Sequence, residues 1–142
     1  MEEIELFIRN ENEDGVFAVS LVESPAIEEN WVYLSSQGIE LKVADEERRV
    51  VVGMALVPDK RIFRKMNDKE FNIYFSKETI AKAQELYMRN LNANNVTTEH
   101  ETQIDGATVI ESWIVENEKH DKSNLYKLKA PVGAWVIMMK IN

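Results

Sequence analysis

Apolar and polar residues alternate with a period of two along most of this chain, a pattern typical of half-buried β-strands. The stretch "RRVVVGMALVP" is instead almost continuously apolar up to Pro58, which predicts a central strand buried on both faces. Gly53 within it predicts a bulge or a close backbone approach. A strand pair is expected to join at Gln37-Gly38. The alternating stretches are "EIELFIRN", "GVFAVSLV", "NWVYLSS", "IELKVAD", "EFNIYFS", "TTEHETQI", "ATVIESWIVE" and "AWVIMMKIN".

One segment has helical periodicity instead. In residues 77–91, "KETIAKAQELYMRNL", Ile80, Ala83, Tyr87 and Leu91 recur at three- and four-residue steps and form an apolar stripe. Ser76 is a suitable N-cap, and the following "NANN" is expected to end the helix because Asn tolerates left-handed conformations. The pattern therefore predicts a single, mainly β domain over residues 1–142, with seven to nine mostly antiparallel strands and one main helix. A closed or nearly closed barrel would protect the edges of so many short strands.

Composition and charge exclude several classes of function. The 142 residues carry a formal net charge of −8, and the only dense basic stretch is "PDKRIFRK", so nucleic acid is not an expected partner. The chain contains no cysteine, which excludes disulfides and thiolate metal sites. No apolar run is long enough to span a bilayer, and "MEEIELF" does not resemble a signal peptide. No glycine-rich phosphate loop occurs, and we expect no cofactor.

The stretch "TTEHETQIDGATVIESWIVE" contains the candidate chemistry, His100 and Ser112. A serine nucleophile needs a base within hydrogen-bond reach. If Asp105-Gly106 forms a two-residue hairpin turn, His100 lies opposite Glu111 and Ser112 faces the other side of the sheet. A three-residue loop shifts the pairing by one and sets Ser112 opposite His100. The sequence leaves both registers open, and the simpler interpretation of Ser112 is an ordinary strand serine beside a tryptophan.

Other candidates have simpler interpretations. Glu99, Glu101 and Glu111 could orient His100 or raise its proton affinity, but their spacing matches no metal-binding motif, and no metal site is expected. His120 lies in the charged segment "ENEKHDKSN" and is interpreted as solvated. Three tryptophans fall in predicted strands, where each is either a core residue or an interface anchor: Trp31, Trp113 and Trp135. The Met-rich "AWVIMMKIN" would invite another chain if it formed an unpaired edge.

Six stretches of the chain carry a family resemblance: "VSLVESPAIEENWVYLS", "VVGMALVPDKRIFR", "FNIYFSKETI", "TTEHE", "VIESWIVE" and "PVGAWVIMMKI". In this order they resemble the phage prohead (head-maturation) serine proteases, specifically the XkdF-like phage serine protease group. This resemblance implies a herpesvirus-protease-like barrel, His100 as general base, and action on coat or scaffold protein inside an immature capsid. The group also has a Gly-apolar-Ser nucleophile motif after the strand "WVIMMKIN", which this sequence does not contain before Asn142.

Two hypotheses follow from the resemblance. The first is a non-catalytic, capsid-associated component of the virion. The second is an active head-maturation serine endopeptidase, or its processed N-terminal part, with Ser112 as a substitute nucleophile. A possible oligomer or capsid-bound form fits both hypotheses.

Overall fold

The structure is a computed structural model, and it describes residues 1–8, 18–21, 36–39, 41–94, 96–98, 102–103 and 106–141. These residues form eleven strands and one α-helix, α1, at Lys77–Arg89. Two short 3-10 turns lie at Asn92–Asn94 and Lys122–Tyr126. The strands are β1 Glu2–Leu6, β2 Ala18–Leu21, β3 Ser36–Ile39, β4 Leu41–Asp45, β5 Val50–Leu56, β6 Ile62–Met66, β7 Lys69–Phe75, β8 Val96–Thr98, β9 Thr102–Gln103, β10 Ala107–Ile114 and β11 Trp135–Ile141.

The described strands form three open sheets, with orders β1-β7-β6, β10-β11-β5-β4 and β3-β2-β8-β9. The mainly β fold with one helix is thereby confirmed, whereas pairing among the described strands closes no barrel. Most of the ladders are antiparallel, as predicted, but β1 runs parallel to β7, and β2 runs parallel to both β3 and β8.

The four-stranded sheet β10-β11-β5-β4 carries the core on both of its faces. On one face, α1 packs its buried side chains, Ile80, Ala83 and Tyr87 among them, against Trp135 and Ile137 of β11. The other face is covered by residues of the segment after β10, including Val115, Leu128 and Ala130. Because both faces are covered, the central strands β5 and β11 are almost continuously apolar.

Helix α1 begins as predicted and ends earlier than predicted. Ser76 is the N-cap, and its Oγ accepts a hydrogen bond of 3.2 Å from the N–H of Thr79. The helix ends at Arg89, and Leu91, predicted to extend the apolar stripe, is 85% exposed with a φ of 58°. Leu86 takes its place among the buried residues of the helix. The left-handed conformation was expected in the Asn-rich segment, but Leu91 adopts it.

Two local predictions about the strands are wrong, and one strand was not predicted. Gln37-Gly38 does not join two strands, because both residues lie inside β3. The irregularity in the β5–β11 ladder falls at Ala55 and not at Gly53, since Leu56 and Met54 oppose consecutive residues of β11. The basic stretch "PDKRIFRK" contributes a strand of its own, β6, which turns into β7 through Asn67 and Asp68 with φ values of 50° and 64°. Two successive positive φ values are typical of a type I′ hairpin turn.

Candidate functional site

Ser112 lies in β10, with Ile137 of β11 as its backbone partner. Val109 opposes Met139, and Glu111 opposes the next residue, Met138, so β10 has a bulge at Ile110. A bulge shifts the alternation of side chains by one position. As a result, Ser112 shares the helix-facing side of the sheet with Val109, although the two are three residues apart, and it comes within reach of α1.

The hydroxyl of Ser112 is the meeting point of two donors. Trp135 Nε1 donates a hydrogen bond of 2.9 Å to Ser112 Oγ, and Gln84 Nε2 of α1 donates one of 3.0 Å to the same atom. Gln84 Nε2 also lies 3.5 Å from the carbonyl oxygen of Ser112. The site therefore ties the central strand, the edge strand and the helix together at one oxygen.

Neither of these two partners activates the serine. An indole N–H can only donate, and Gln84 has its amide nitrogen on Ser112 Oγ, so neither partner accepts the hydroxyl proton. The N–H of Val115 donates to Ala134 O at 2.9 Å. Because the groups of an antiparallel ladder alternate, the N–H of Trp113 also points towards β11, away from any oxyanion formed beside Ser112. Within the described residues, Ser112 is a hydrogen-bond acceptor.

The predicted hairpin between the segments 97–104 and 107–116 is not formed by those of their residues that the structure describes. Thr97 and Thr98 of β8 pair with Gln103 and Thr102 of β9, while β10 pairs with β11 in another sheet. Among the described residues, none of the pairs that either register requires is formed, and the pairs at His100 lie outside them. His100 lies outside the described residues, as do its neighbours Glu99 and Glu101. Its role as a base stays a prediction.

A depression of about 720 Å³ runs past Ser112. It lies between β10, the end of α1 and the loop after β10. Five consecutive residues of β10 contribute to it, which shows that the depression follows the edge of the strand, since alternate side chains point to opposite faces. The lining residues are Met88, Ile110, Glu111, Ser112, Trp113, Ile114, Glu116, Asn117, His120, Asp121 and Lys122.

Asp121 organises the loop side of the depression. Its carboxylate accepts hydrogen bonds from Trp113 Nε1 at 3.1 Å and from the N–H of Ser123 at 2.9 Å, and it caps the 3-10 turn that begins at Lys122. Burial acts to raise the pKa of Asp121, but the hydrogen bonds from Ser123 and Trp113 outweigh it and hold that pKa below the ordinary value.

Lys122 and Glu111 form an ion pair at the rim, and Lys122 Nζ lies 5.7 Å from the centre of the Trp113 ring. This distance is within the range of a cation–π contact. Glu111, considered from the sequence as a partner that could orient His100, is thus paired with Lys122, and its relation to His100 stays a prediction.

The predictions for the three tryptophans have different outcomes. Trp135 is fully buried in β11, which lies between β10 and β5, so the terminal Met-rich strand is not an open edge. Trp113 is half-buried and lines the depression. Trp31 lies outside the described residues.

His120 is exposed, as predicted, and it lines the same depression as Ser112. The described side chains contain no group of three or more His, Asp or Glu that could hold a metal ion. In the same part of the chain, no helix has the length and hydropathy to cross a membrane.

Sequence reasoning missed Gln84 and Asp121. Gln84 follows Ile80 by four residues and precedes Tyr87 by three, so it is a polar residue placed directly on the apolar stripe of the helix. Such a position predicts a buried hydrogen-bond partner. Asp121 precedes the segment "KSNLY", and an Asp before a helical turn is an N-cap signal.

Comparison with known proteins identifies the family. The structure is a β-rich domain with a surface depression of about 720 Å³ beside β10. The sequence identifies the family to which this domain belongs. Residues 38–142 match the family model described as "Putative phage serine protease XkdF". The chain therefore belongs to this phage protein family, which confirms the resemblance seen in the sequence. No curated protein matches the chain, and no solved structure does.

Proposed function

We propose that this chain is a protease-family domain that acts by binding in phage head assembly, as a non-catalytic component associated with the capsid. Its partner would be coat or scaffold protein, and its place the phage head. The observation that carries the proposal is the state of the Ser112 hydroxyl, whose Oγ accepts hydrogen bonds from both Trp135 and Gln84.

The chemistry of that oxygen supports binding over catalysis. A nucleophilic serine must pass its proton to a base and then direct a lone pair at a carbonyl carbon. Two N–H donors occupy the lone pairs of Ser112, and the residue lies opposite Ile137 in the ladder, two residues after the bulge at Ile110. Loss of one reactive group leaves such a fold in place, because the packed core on both sides of the sheet holds it together.

A second candidate function is a head-maturation serine endopeptidase that cleaves coat and scaffold precursors. Membership of a family described as serine proteases favours it. In that function, His100 would act as the base and Ser112 as the nucleophile. His120 is a second imidazole to test, because it lines the same depression as Ser112.

Active-site labelling separates the two candidates. The purified chain would be treated with a fluorophosphonate probe, alongside Ser112→Ala, His100→Ala and His120→Ala. We expect no labelling of the wild type under conditions that label a control serine protease. Labelling that disappears in Ser112→Ala would establish the endopeptidase and overturn our proposal.

Binding is tested separately by size-exclusion chromatography of the chain mixed with the coat or scaffold protein of its phage. We expect a complex of defined stoichiometry that persists in the Ser112→Ala variant. Failure to associate with either protein would contradict the proposed role.

A further inference from the structure

The free side of β10 is the feature that carries an inference. Within the described residues, β10 is the outermost strand of its sheet and pairs only with β11. Val115 bonds to Ala134 through its N–H, and alternation along the ladder then directs the main-chain groups of Ser112 and Ile114 away from β11. The Ser112 carbonyl oxygen lies 3.5 Å from Gln84 Nε2, and its second lone pair is left for a further donor. Such outward N–H and C=O groups can pair with a further extended chain.

The depression lies along this same side. It is lined by consecutive residues from Ile110 to Ile114, so a chain pairing with β10 would place its side chains in the depression. Ile110 is 39% exposed and Met88 is 38% exposed, and they supply apolar contacts at one end. An accessible strand edge and a side-chain pocket next to it are the two parts of peptide recognition by strand addition.

Charge determines which side chain the depression would take. Its lining includes three carboxylates, on Glu111, Glu116 and Asp121, and one ammonium, on Lys122. The ammonium is already paired with Glu111, which leaves the other two carboxylates as net negative charge. The contact between Lys122 and the Trp113 ring shows that this indole face can accept a cation.

We propose that the β10 edge and this depression bind an extended peptide segment that carries a lysine or arginine. The segment pairs through its main chain with Ser112 and Ile114, and its basic side chain enters the depression beside Glu116 and Asp121, next to the Trp113 ring. The formal net charge of −8 on the chain favours the approach of a basic segment. This inference deepens the proposed function, since it supplies the mode by which coat or scaffold protein would be bound.

The test uses synthetic peptides, so its outcome does not depend on coat or scaffold protein. A fluorescein-labelled octapeptide of alternating valine and threonine with one central lysine is titrated with the chain, and binding is followed by fluorescence anisotropy. Replacing the lysine by norleucine is expected to weaken binding about fivefold, and replacing it by glutamate is expected to weaken it further. Equal affinity of the three peptides, or absence of binding by all of them, would overturn the proposal.

Two further comparisons test the geometry. N-methylation of the peptide backbone at the positions that pair with Ser112 and Ile114 is expected to abolish binding, because the methyl groups remove the main-chain donors. Retained affinity would refute strand addition.

The acidic position is tested with a matched pair of charge reversals. Glu116 lines the depression, whereas Glu118 is exposed in the same loop and does not. Glu116→Lys is expected to weaken binding of the lysine peptide at least fivefold more than Glu118→Lys does. Equal effects of the two variants would mean that only long-range charge attracts the peptide, and the proposed pocket would be refuted. If the peptides bind as expected but coat and scaffold proteins do not, the binding mode stands and the proposed function falls.

Discussion

Trp135 Nε1 donates a hydrogen bond of 2.9 Å to Ser112 Oγ. Trp135 is fully buried in the central strand β11, and Ser112 lies in β10, two residues from Ile114, the backbone partner of Trp135. Because the indole has no access to water, its N–H depends on this serine for a partner. Gln84 approaches the same oxygen from the helix. This relationship makes the serine a structural junction.

Ser112→Ala is therefore expected to destabilise the fold. It leaves the Trp135 N–H buried without its acceptor, which costs about 1–3 kcal/mol of unfolding free energy. Chemical denaturation followed by tryptophan fluorescence measures the change. A variant as stable as the wild type would show that the hydroxyl is free, as a nucleophile's would be.

Tyr87→Phe is the matched control, since it also removes one hydroxyl from the surroundings of Trp135. The Tyr87 ring meets the Trp135 ring edge-on with centres 5.2 Å apart, and its buried hydroxyl has no hydrogen-bond partner within the described residues. Removing an unpaired buried hydroxyl is expected to leave the unfolding free energy unchanged or to raise it by about 1 kcal/mol. A loss comparable to that of Ser112→Ala would reveal a partner for Tyr87.

Tyr87 also makes a prediction about alkaline pH. Burial raises the pKa of Tyr87 well above its ordinary value, because the phenolate would be desolvated. The unfolded state therefore loses this proton at a lower pH than the folded state, and unfolding becomes more favourable as the pH rises above about 10. The wild type is expected to lose stability over this range more steeply than Tyr87→Phe. Denaturation at successive pH values measures both slopes, and parallel curves would contradict the assignment.

Asp121 gives the opposite dependence at acid pH. Its pKa is lowered in the folded state, so its contribution to stability is present above the ordinary pKa of about 4 and is lost as the pH falls through the lower, folded value. Asp121→Asn keeps a good capping group but loses the charge, whereas Asp121→Ala loses both and is expected to cost about 1–2 kcal/mol at neutral pH. The stability difference between wild type and Asp121→Asn should shrink below pH 4. A difference independent of pH would exclude the carboxylate as its source.

The elements were largely predictable because they depend on local pattern. Alternation located β1, β7 and β10, and the continuous apolar run identified β5 as a central strand. Ser76 was recognisable as a cap because it immediately precedes a helical stripe. The family was recognisable for a related reason. The resemblance consists of short sequence stretches in a fixed order, which can be identified without knowledge of the fold.

Strand partners were not predictable in the same way. Asp105-Gly106 indicates a turn, and Gly106 does adopt a φ of 82°, but a turn signal does not determine which strand lies beside which. β10 instead pairs with β11, more than twenty residues later in the chain. The bulge at Ile110 then decides which face Ser112 occupies, and no residue type specifies that bulge. The candidate site depends on both features.

Leu91→Gly is expected to stabilise the protein. Leu91 follows the helix C-cap, Asn90, with a φ of 58°, and its side chain is 85% exposed. A left-handed conformation costs a non-glycine residue about 1 kcal/mol, and glycine adopts it without that cost at this position of a helix terminus. Little packing is lost because the side chain lies mostly in solvent. The gain in unfolding free energy should stay below about 1 kcal/mol, because the greater conformational entropy of glycine in the unfolded chain offsets part of it.

Thermal denaturation of Leu91→Gly, Leu91→Asn and Leu91→Ala measures this effect. The order of melting temperatures is expected to be glycine highest, asparagine next and alanine lowest, because that order follows the ease with which each residue adopts a positive φ. A backbone origin predicts that alanine, which also removes the exposed side chain, brings no gain over leucine. If alanine stabilises as much as glycine, the benefit comes from removing an exposed apolar side chain, and the backbone explanation fails.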